Sequence, residues 1–422
     1  MCRCCVRRGL TARIVEAEAV IMERLEALGR ISEEPDRLFR PFASPAMRRA
    51  NELVQSWMTQ AGMSARTDAL GNLIGHFPGP RPDSKILLLG SHLDTVRNAG
   101  KFDGPLGVVT AIACVEEIRR KKQTLPFAIE IVAFADEEGA RYQTAYLGSR
   151  ALTGQLDEKD LARVDANGVT MAEAIKQFGG DPARLKSCRM AGENLLGYVE
   201  VHIEQGPVLE QKNQAVGVVT AIAGQTRATI TFEGKAGHAG TTPMELRHDA
   251  LCGAAEFILE AEKYARQHTS LVATVGQIAA DPNVSNVIPG TCRLTVDLRH
   301  QEDAMRVKGC ADFEKFVMEI GRKRKLKAVW QTVQETAPVP CSAELSTLLR
   351  NAARKHQPGV IDLPCGAGHD AAVMAKITPV AMLFTRCAGG VSHHPDEAVR
   401  SDDVRIVLNV LTDFVSSLAA RP

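Results

Sequence analysis

The chain has no apolar run near the ~18–20 residues that a membrane-spanning helix needs, so no transmembrane segment is expected. It has almost no excess of charge: 51 Lys and Arg stand against 50 Asp and Glu, a net +1 at pH 7. That balance withholds the electrostatic footprint of a nucleic-acid or polyanion binder, and neither nucleic acid nor membrane is expected as a partner. No G-x-G-x-x-G follows the first apolar run, which argues against a dinucleotide-dependent α/β enzyme. No uninterrupted apolar stretch follows Arg3, Arg7, Arg8 and Arg13, so a secretory signal peptide is not expected either. The eleven cysteines form no even, regularly spaced set; most sit singly in apolar or mixed runs, as do Cys114, Cys252, Cys292 and Cys310. Such usage fits reduced thiols in a cytoplasmic protein better than a disulfide framework. The exception is Cys2, Cys4 and Cys5, a C-x-C-C cluster. It has soft-metal chemistry but no second ligand pair at finger-like spacing. Residues 1–13 are expected to be a disordered leader. There is no internal repeat and no low-complexity tract.

What is present is an ordinary globular composition, 45% hydrophobic and 24% charged over 422 residues, a length that calls for two or three domains. Residues 14–28 and 46–61 carry amphipathic helical patterns, and Ser44-Pro45 supplies a start signal for the second. Three short apolar runs follow, at Ile86–His92, Phe127–Ala135 and Tyr198–His202, with a helical pattern over 105–121 between the first two. Near-continuous runs of this length are those of strands buried on both faces of a parallel or mixed sheet, so the fold class is α/β. The middle of the chain changes character. Two strands are expected in 215–234, a helix over 245–267, strands at 270–278 and 290–299, and a helix over 302–323. That order suggests an α+β ferredoxin-like domain. The α/β pattern then resumes, with a strand at 379–385 and a helix at 402–418. The expected organisation is a mixed-sheet catalytic domain in two pieces, 14–213 and 329–422, interrupted by an inserted domain at 214–328.

All three apolar runs end in groups that can ligate a metal: His92, Glu137-Glu138 and His202. In open α/β sheets ligands collect outside the carboxyl ends of strands. A His at such an end is a natural zinc or manganese ligand, and an Asp two residues on, here Asp94, can fix its tautomer. Alone, H-x-D is more often structural. Asp103 stands among glycines before the second helical pattern, where a carboxylate can bridge two cations; a helix cap is its other use. Asp136-Glu137-Glu138 places three acids at the end of a buried strand, which is costly unless they are paired or bound to metal. One carboxylate there can bind a cation while its neighbour stays free as a general base; the alternative is a solvated acidic turn.

Taken together, G-S-H-L-D-T-V (90–96), G-K-F-D-G-P-L-G (100–107) and D-E-E-G-A-R-Y (136–142) are similar to the M20 family of metal-dependent amidohydrolases and peptidases. Tyr198-Val199-Glu200-Val201-His202, followed by I-E-Q-G-P, narrows the resemblance to N-carbamoyl-amino-acid hydrolases, ureidopropionases and allantoate amidohydrolases. It runs from about residue 15 to the C-terminus. Stretches 197–202, 221–227 and 382–387 resemble the allantoate amidohydrolases most.

The resemblance implies a two-metal site using Mn²⁺ or Zn²⁺. His92, Asp103 and His202 would hold one ion, and Asp103, Glu138 and a C-terminal His the other. His393 and His394 both offer themselves there, and the family form S-H-x-P-x-E aligns His393. Glu137 would be the general base, with Asp94 beside His92. The inserted domain would act as a lid and dimerisation domain. On it, His238, in G-K-A-G-H-A-G, would stabilise an oxyanion; alone, such a His is a polar loop residue. Asn286 and Arg299 would hold a substrate carboxylate, Arg by its planar fork, although Arg more often makes a surface ion pair. Gln205 is a substrate-binding candidate and His369 a pocket-lining one. Arg386 is a further substrate-contact candidate whose alternative is a structural ion pair. The substrate expected is a small ureido carboxylate, allantoate before N-carbamoyl-amino acids, and the assembly a homodimer through the inserted domain.

Overall fold

The computed structural model describes residues 16–421; the leader with Cys2, Cys4 and Cys5 lies outside them. The chain divides into two compact units. The first takes the chain up to Val218, Glu344–Ile361 and the part from Val373 onward; the second takes Val219–Ala343 and Asp362–Ala372. In chain order the strands are β1 (Ser64–Thr67), β2 (Leu73–Phe77), β3 (Ile86–His92), β4 (Ala128–Phe134), β5 (Leu195–Ile203), β6 (Val216–Ile222), β7 (Gly224–Glu233), β8 (Gly237–His238), β9 (Val272–Asp281), β10 (Val287–Ile288), β11 (Thr291–His300), β12 (Lys327–Thr336), β13 (Val339–Pro340), β14 (Ile361–Cys365) and β15 (Val380–Thr385).

The first unit is organised by a mixed sheet in the order β1-β2-β4-β3-β5-β15-β6. Its centre, β4-β3-β5-β15, is parallel throughout, while β2 and β6 pair antiparallel at its flanks. Every residue of β4 is buried, as a strand covered on both faces requires. Helix Pro105–Arg120 packs against β3 and β5 and is itself covered by helices Ala17–Gly29 and Ser401–Ala419. Its sequence explains its limits: Pro105 stands at the first position, where its missing N–H costs nothing, and Arg119 and Arg120 close the last turn, where cations suit the carbonyl end. Helix Pro45–Gln60 starts where Ser44 signals it, the Ser44 Oγ accepting the Met47 N–H at 3.1 Å. Because four neighbouring strands run the same way, their carboxyl ends lie side by side, and the loops that follow them share one edge of the sheet.

The second unit runs β7, helix Ala250–Gln267, β9, β11, helix Asp303–Arg324, β12. Its antiparallel sheet has the order β12-β7-β11-β9, the ferredoxin-like arrangement. Alternation sets its two faces. Ala228, Ile230 and Phe232 of β7 and Leu294, Val296 and Leu298 of β11 join Phe257 and Phe313 of the helices in one core. Arg227, Asp297 and Arg299 lie on the opposite face, along a cavity of ≈ 730 Å³. The unit's edges differ from 214 and 328. Strand β12 runs to Thr336 and completes the four-stranded sheet, so an edge at 328 would cut it off.

Candidate active site

The first unit gathers its acids and imidazoles at the carboxyl ends of the parallel strands. His92 closes β3, Asp136 to Glu138 follow β4, and His202 is the penultimate residue of β5. His393 comes from the segment after β15. Asp103 sits in the loop before helix Pro105–Arg120. There Gly104, at φ +83°, makes a turn closed to other residues: a Cβ on it would lie 2.5 Å from the His92 ring. Asp103 thereby comes to rest directly under that ring.

Asp103 is the centre of the cluster. Its Oδ1 lies 3.4 Å from Nε2 of His92 and 3.2 Å from Nε2 of His202. Its Oδ2 lies 3.4 Å from Nε2 of His393, which is also 3.2 Å from Oε1 of Glu138. The two oxygens of one carboxylate thus serve two separate groups of ligands: His92 with His202, and Glu138 with His393. In each group the potential ligand atoms lie within 4.8 Å of one another. Gln205 Nε2 donates to Oδ2 of Asp103 at 2.8 Å, and Ser392 Oγ donates to the same oxygen at 2.5 Å.

The imidazoles disclose what the cluster fits. His92 directs Nδ1 at the Asp94 carbonyl, 3.0 Å away, and His202 directs Nδ1 at the Ile203 carbonyl, 2.9 Å away. A neutral ring donates its one proton there, leaving Nε2 as a bare lone pair. Both lone pairs then face a carboxylate oxygen, an arrangement that repels unless a cation stands between. Protons can do this: although burial opposes charge on His92, the carboxylates of Asp103 and Asp94 outweigh it and hold its pKa well above the usual imidazole range. His202 is raised in the same way by Asp103 against its burial. Glu138 lifts His393 to about 9. Burial would raise the Asp103 carboxyl, but His202 and His92 overcome it and hold it well below the carboxylate range. A divalent cation satisfies the same lone pairs without that cost, and the mixed imidazole and carboxylate set suits zinc or manganese.

Asp94 holds the opposite wall. It is fully buried, and its Oδ1 and Oδ2 accept the backbone N–H groups of Glu137 (2.9 Å) and Glu138 (3.1 Å). One side chain therefore fixes the strand-end turn that carries both glutamates, and its backbone carbonyl orients His92. The Glu137 carboxylate is buried and comes within 4.8 Å of ligand atoms of His92 and Glu138. Behind Asp94 lies Arg40, the largest wholly buried side chain. It donates from Nε to the Leu93 carbonyl at 2.6 Å and from Nη1 to the Leu28 and Ile31 carbonyls.

Of the two C-terminal histidines, His393 faces the cluster and His394 does not; the Nδ1 of His394 accepts the Asp396 N–H at 3.2 Å. Arg386 makes the structural ion pair that was its alternative: its Nε and Nη2 grip the two oxygens of Asp403 at 2.8 and 2.7 Å, and its Nη1 donates to Asn213 at 3.1 Å.

The remaining expected residues belong to the second unit. His238 and Asn286 lie together at the β8–β10 pair: His238 pairs with Val287, and the Ala239 N–H donates to the Asn286 carbonyl at 3.0 Å. Arg299 stands on a different sheet. It holds Asp297 through Nε (2.8 Å) and Nη2 (3.0 Å) and donates to the Gly366 carbonyl at 2.6 Å. His369 is buried and leads into helix Asp370–Met374. Sequence reasoning missed Ser392, Glu397, Arg40 and the clamp of Asp297 on Arg299. Only Ser392 and Glu397 carried a signal, as the flanks of the S-H-x-P-x-E form.

A family model for peptidase family M20/M25/M40 matches residues 88–417. The chain belongs to that family. Within it, the chain is 38% identical to a probable allantoate deiminase of Oryza sativa subsp. japonica, over 97% of this chain and 90% of the relative. It is 39% identical to an N-carbamoyl-L-amino acid amidohydrolase of Geobacillus stearothermophilus, over 94% of this chain and 98% of the relative. Among solved structures, an amidase of the hydantoinase/carbamoylase family from Burkholderia multivorans has a TM-score of 0.90 at 30% identity, covering 96% of this chain and 98% of that one. The M20/M25/M40 chains it resembles over nearly full length therefore include amidohydrolases of non-peptide C–N bonds.

Proposed function

We propose that this chain hydrolyses a ureido C–N bond, with allantoate as the substrate: allantoate and water give ureidoglycine, ammonia and carbon dioxide. The observation that carries the proposal is Asp103, shared between two sets of ligands beside the buried Glu137; near-full-length similarity to allantoate deiminases supports the substrate. The 39% identity to a carbamoyl-amino-acid hydrolase supports N-carbamoyl-L-amino acids as the second candidate.

His92, Asp103 and His202 would hold one divalent ion, and Asp103, Glu138 and His393 a second, manganese or zinc. Such ions, when bound, polarise a carbonyl and make water more acidic. Glu137 takes the proton of the attacking water and returns it to the departing nitrogen, a task suited to a residue whose backbone N–H is held by Asp94. Asp94 keeps that turn and the His92 ring in register. His238 donates to the carbonyl oxygen as charge develops on it. Gln205, Asn286 and Arg299 bind the ureido and carboxylate groups, with His369 lining the pocket.

A homodimer through the second unit is favoured by β9. It is an edge strand of ten residues with no Lys, Arg or Pro, and it exposes Val272 and Ile278; helix Ala250–Gln267, which packs on it, exposes Leu251 and Leu259. Unprotected edges of this kind pair readily with a second copy. Cytoplasmic location accords with the absence of disulfides among the described residues.

The deciding assay is ammonia release by the manganese-loaded protein. Turnover of allantoate but not of N-carbamoyl-L-amino acids is expected. Turnover of the carbamoyl compounds alone would move the substrate and leave the roles intact. No turnover of either would refute the proposal.

A further inference from the structure

Glu397 takes no part in the chemistry proposed above, yet it is among the most buried acids of the first unit, 3% exposed. Its Oε1 accepts two backbone N–H groups from a segment 294 residues away, those of Phe102 (2.7 Å) and Asp103 (2.9 Å). The Glu397 N–H in turn donates to the His394 carbonyl at 3.0 Å, which closes the turn after His393. Gly100 makes room for this reach. A Cβ at residue 100 would lie 2.3 Å from Glu397 Cβ and 2.6 Å from its Oε1, too close for any other residue. Ser392 grips the same aspartate from the other side, through its carboxylate.

Residues 392–397 therefore hold Asp103 twice, at its side chain and at its backbone, while carrying His393 between the two grips. Helix Pro105–Arg120 begins two residues after Asp103, and its position against β3 and β5 is set by packing. In the Asp103 loop, Phe102 is packed in the same core. The pair of hydrogen bonds to one carboxylate ties the backbone of Asp103 directly to the segment that carries His393.

We infer that Glu397 is a positioning residue for the metal ligands: it sets the backbone of Asp103 against His393 and so determines how tightly the shared carboxylate and that histidine hold cations. The inference deepens the two-ion site proposed above and rests on it, but not on the identity of the substrate. The physical basis is that partners orienting first ligands are worth about 10–100-fold in metal affinity. A glutamine in place of Glu397 retains a carbonyl oxygen able to accept both N–H groups, whereas alanine retains nothing.

The test is Mn²⁺ binding to the metal-stripped full-length chain, by equilibrium dialysis with metal analysis, without substrate. Glu397→Ala is expected to bind Mn²⁺ about 10–100-fold more weakly than the unmodified chain. Glu397→Gln is expected to stay within about threefold of it. Unchanged affinity in a folded Glu397→Ala would overturn the inference, because a role in stability alone lowers the melting temperature and leaves the folded chain's affinity as it was. Glu397→Gln as weak as Glu397→Ala would also overturn it. If Glu397→Ala does not fold, Gly100→Ala takes its place: the added methyl displaces the carboxylate without removing it, and normal affinity there would be equally fatal. A chain that binds Mn²⁺ as expected but turns over no ureido compound would sink the proposed substrate and leave Glu397 its role.

Discussion

At the scale of single residues, the two glutamates after β4 divide their work by position. Asp94 holds the backbone N–H of both, but it is Glu138 whose carboxylate lies against His393. On the roles proposed above, Glu137→Gln removes a base and no ligand. The expected outcome is unchanged metal content with turnover lowered by ~10²–10⁴-fold or more, checked by kcat alongside metal analysis of the same sample; near-normal kcat would end that assignment. Arg386 gives the opposite kind of prediction. Breaking its buried pair with Asp403 leaves an uncompensated charge, at a cost of about 3–5 kcal/mol. Arg386→Ala should therefore lower the denaturant midpoint strongly, with KM of the remaining folded enzyme unaltered. A normal midpoint with a raised KM would restore Arg386 to the substrate.

At the scale of elements, the loop that joins β3 to helix Pro105–Arg120 can be tested with a matched pair of glycines. Gly104 and Gly168 both have left-handed backbones, φ +83° and +77°, but only Gly104 has a neighbour, the His92 ring, within reach of a new Cβ. Gly168→Ala should cost ~1–2 kcal/mol from the backbone alone. Gly104→Ala should cost more and in addition weaken metal binding at least tenfold, measured by chemical denaturation and metal titration; equal effects of the two would mean the ring contact is immaterial. Most of these elements were legible in the sequence. The runs 86–92, 127–135 and 198–202 became β3, β4 and β5 within a few residues, because strands buried on both faces leave an unbroken apolar record. Strands β1 and β2 left none, being short and partly exposed. Strand β12, the fourth of the ferredoxin-like sheet, turns Ala328 and Trp330 to the core but exposes Val329 between them, and an irregularity between Thr332 and Gln334 breaks its pattern. In the site, the ligating residue types and their spacing were legible. Which oxygen of Asp103 faces which imidazole was not, because that depends on Gly104 and on contacts hundreds of residues apart. The allocation of Arg386 to Asp403 was hidden for the same reason: an ion pair and a substrate clamp use the same residue.

At the scale of the whole molecule, protons and metal ions compete for one set of ligands, so pH should set how much a cation stabilises the chain. Without metal, His92, His202 and His393 have raised pKa values, His393 at about 9. Groups raised on folding stabilise fully below their unfolded value of ~6.5 and lose that contribution as pH climbs through the folded value. Bound cations need the rings neutral and so gain over the same interval. The melting temperature with Mn²⁺ minus that with chelator should be small near pH 6 and grow up to about pH 9. A difference independent of pH over that range would show that these imidazoles hold neither protons nor metal in the folded chain.

The order in which the ligands occur along the chain has a further consequence, for the life of the protein before it works. His92, Asp103, Glu138 and His202 all precede the second unit, and His393 follows it, as does β15, the strand that lies beside β5. A ribosome must therefore translate the whole ferredoxin-like unit between making the fourth of these ligands and making the fifth. During that interval the nascent chain carries the three proposed ligands of one ion and two of the three proposed for the other, with the edge of β5 uncovered. A two-ion centre of the proposed kind is accordingly completed only after the second unit has been made, and a message cut short anywhere in that unit yields a chain that has most of the proposed ligands and no completed centre.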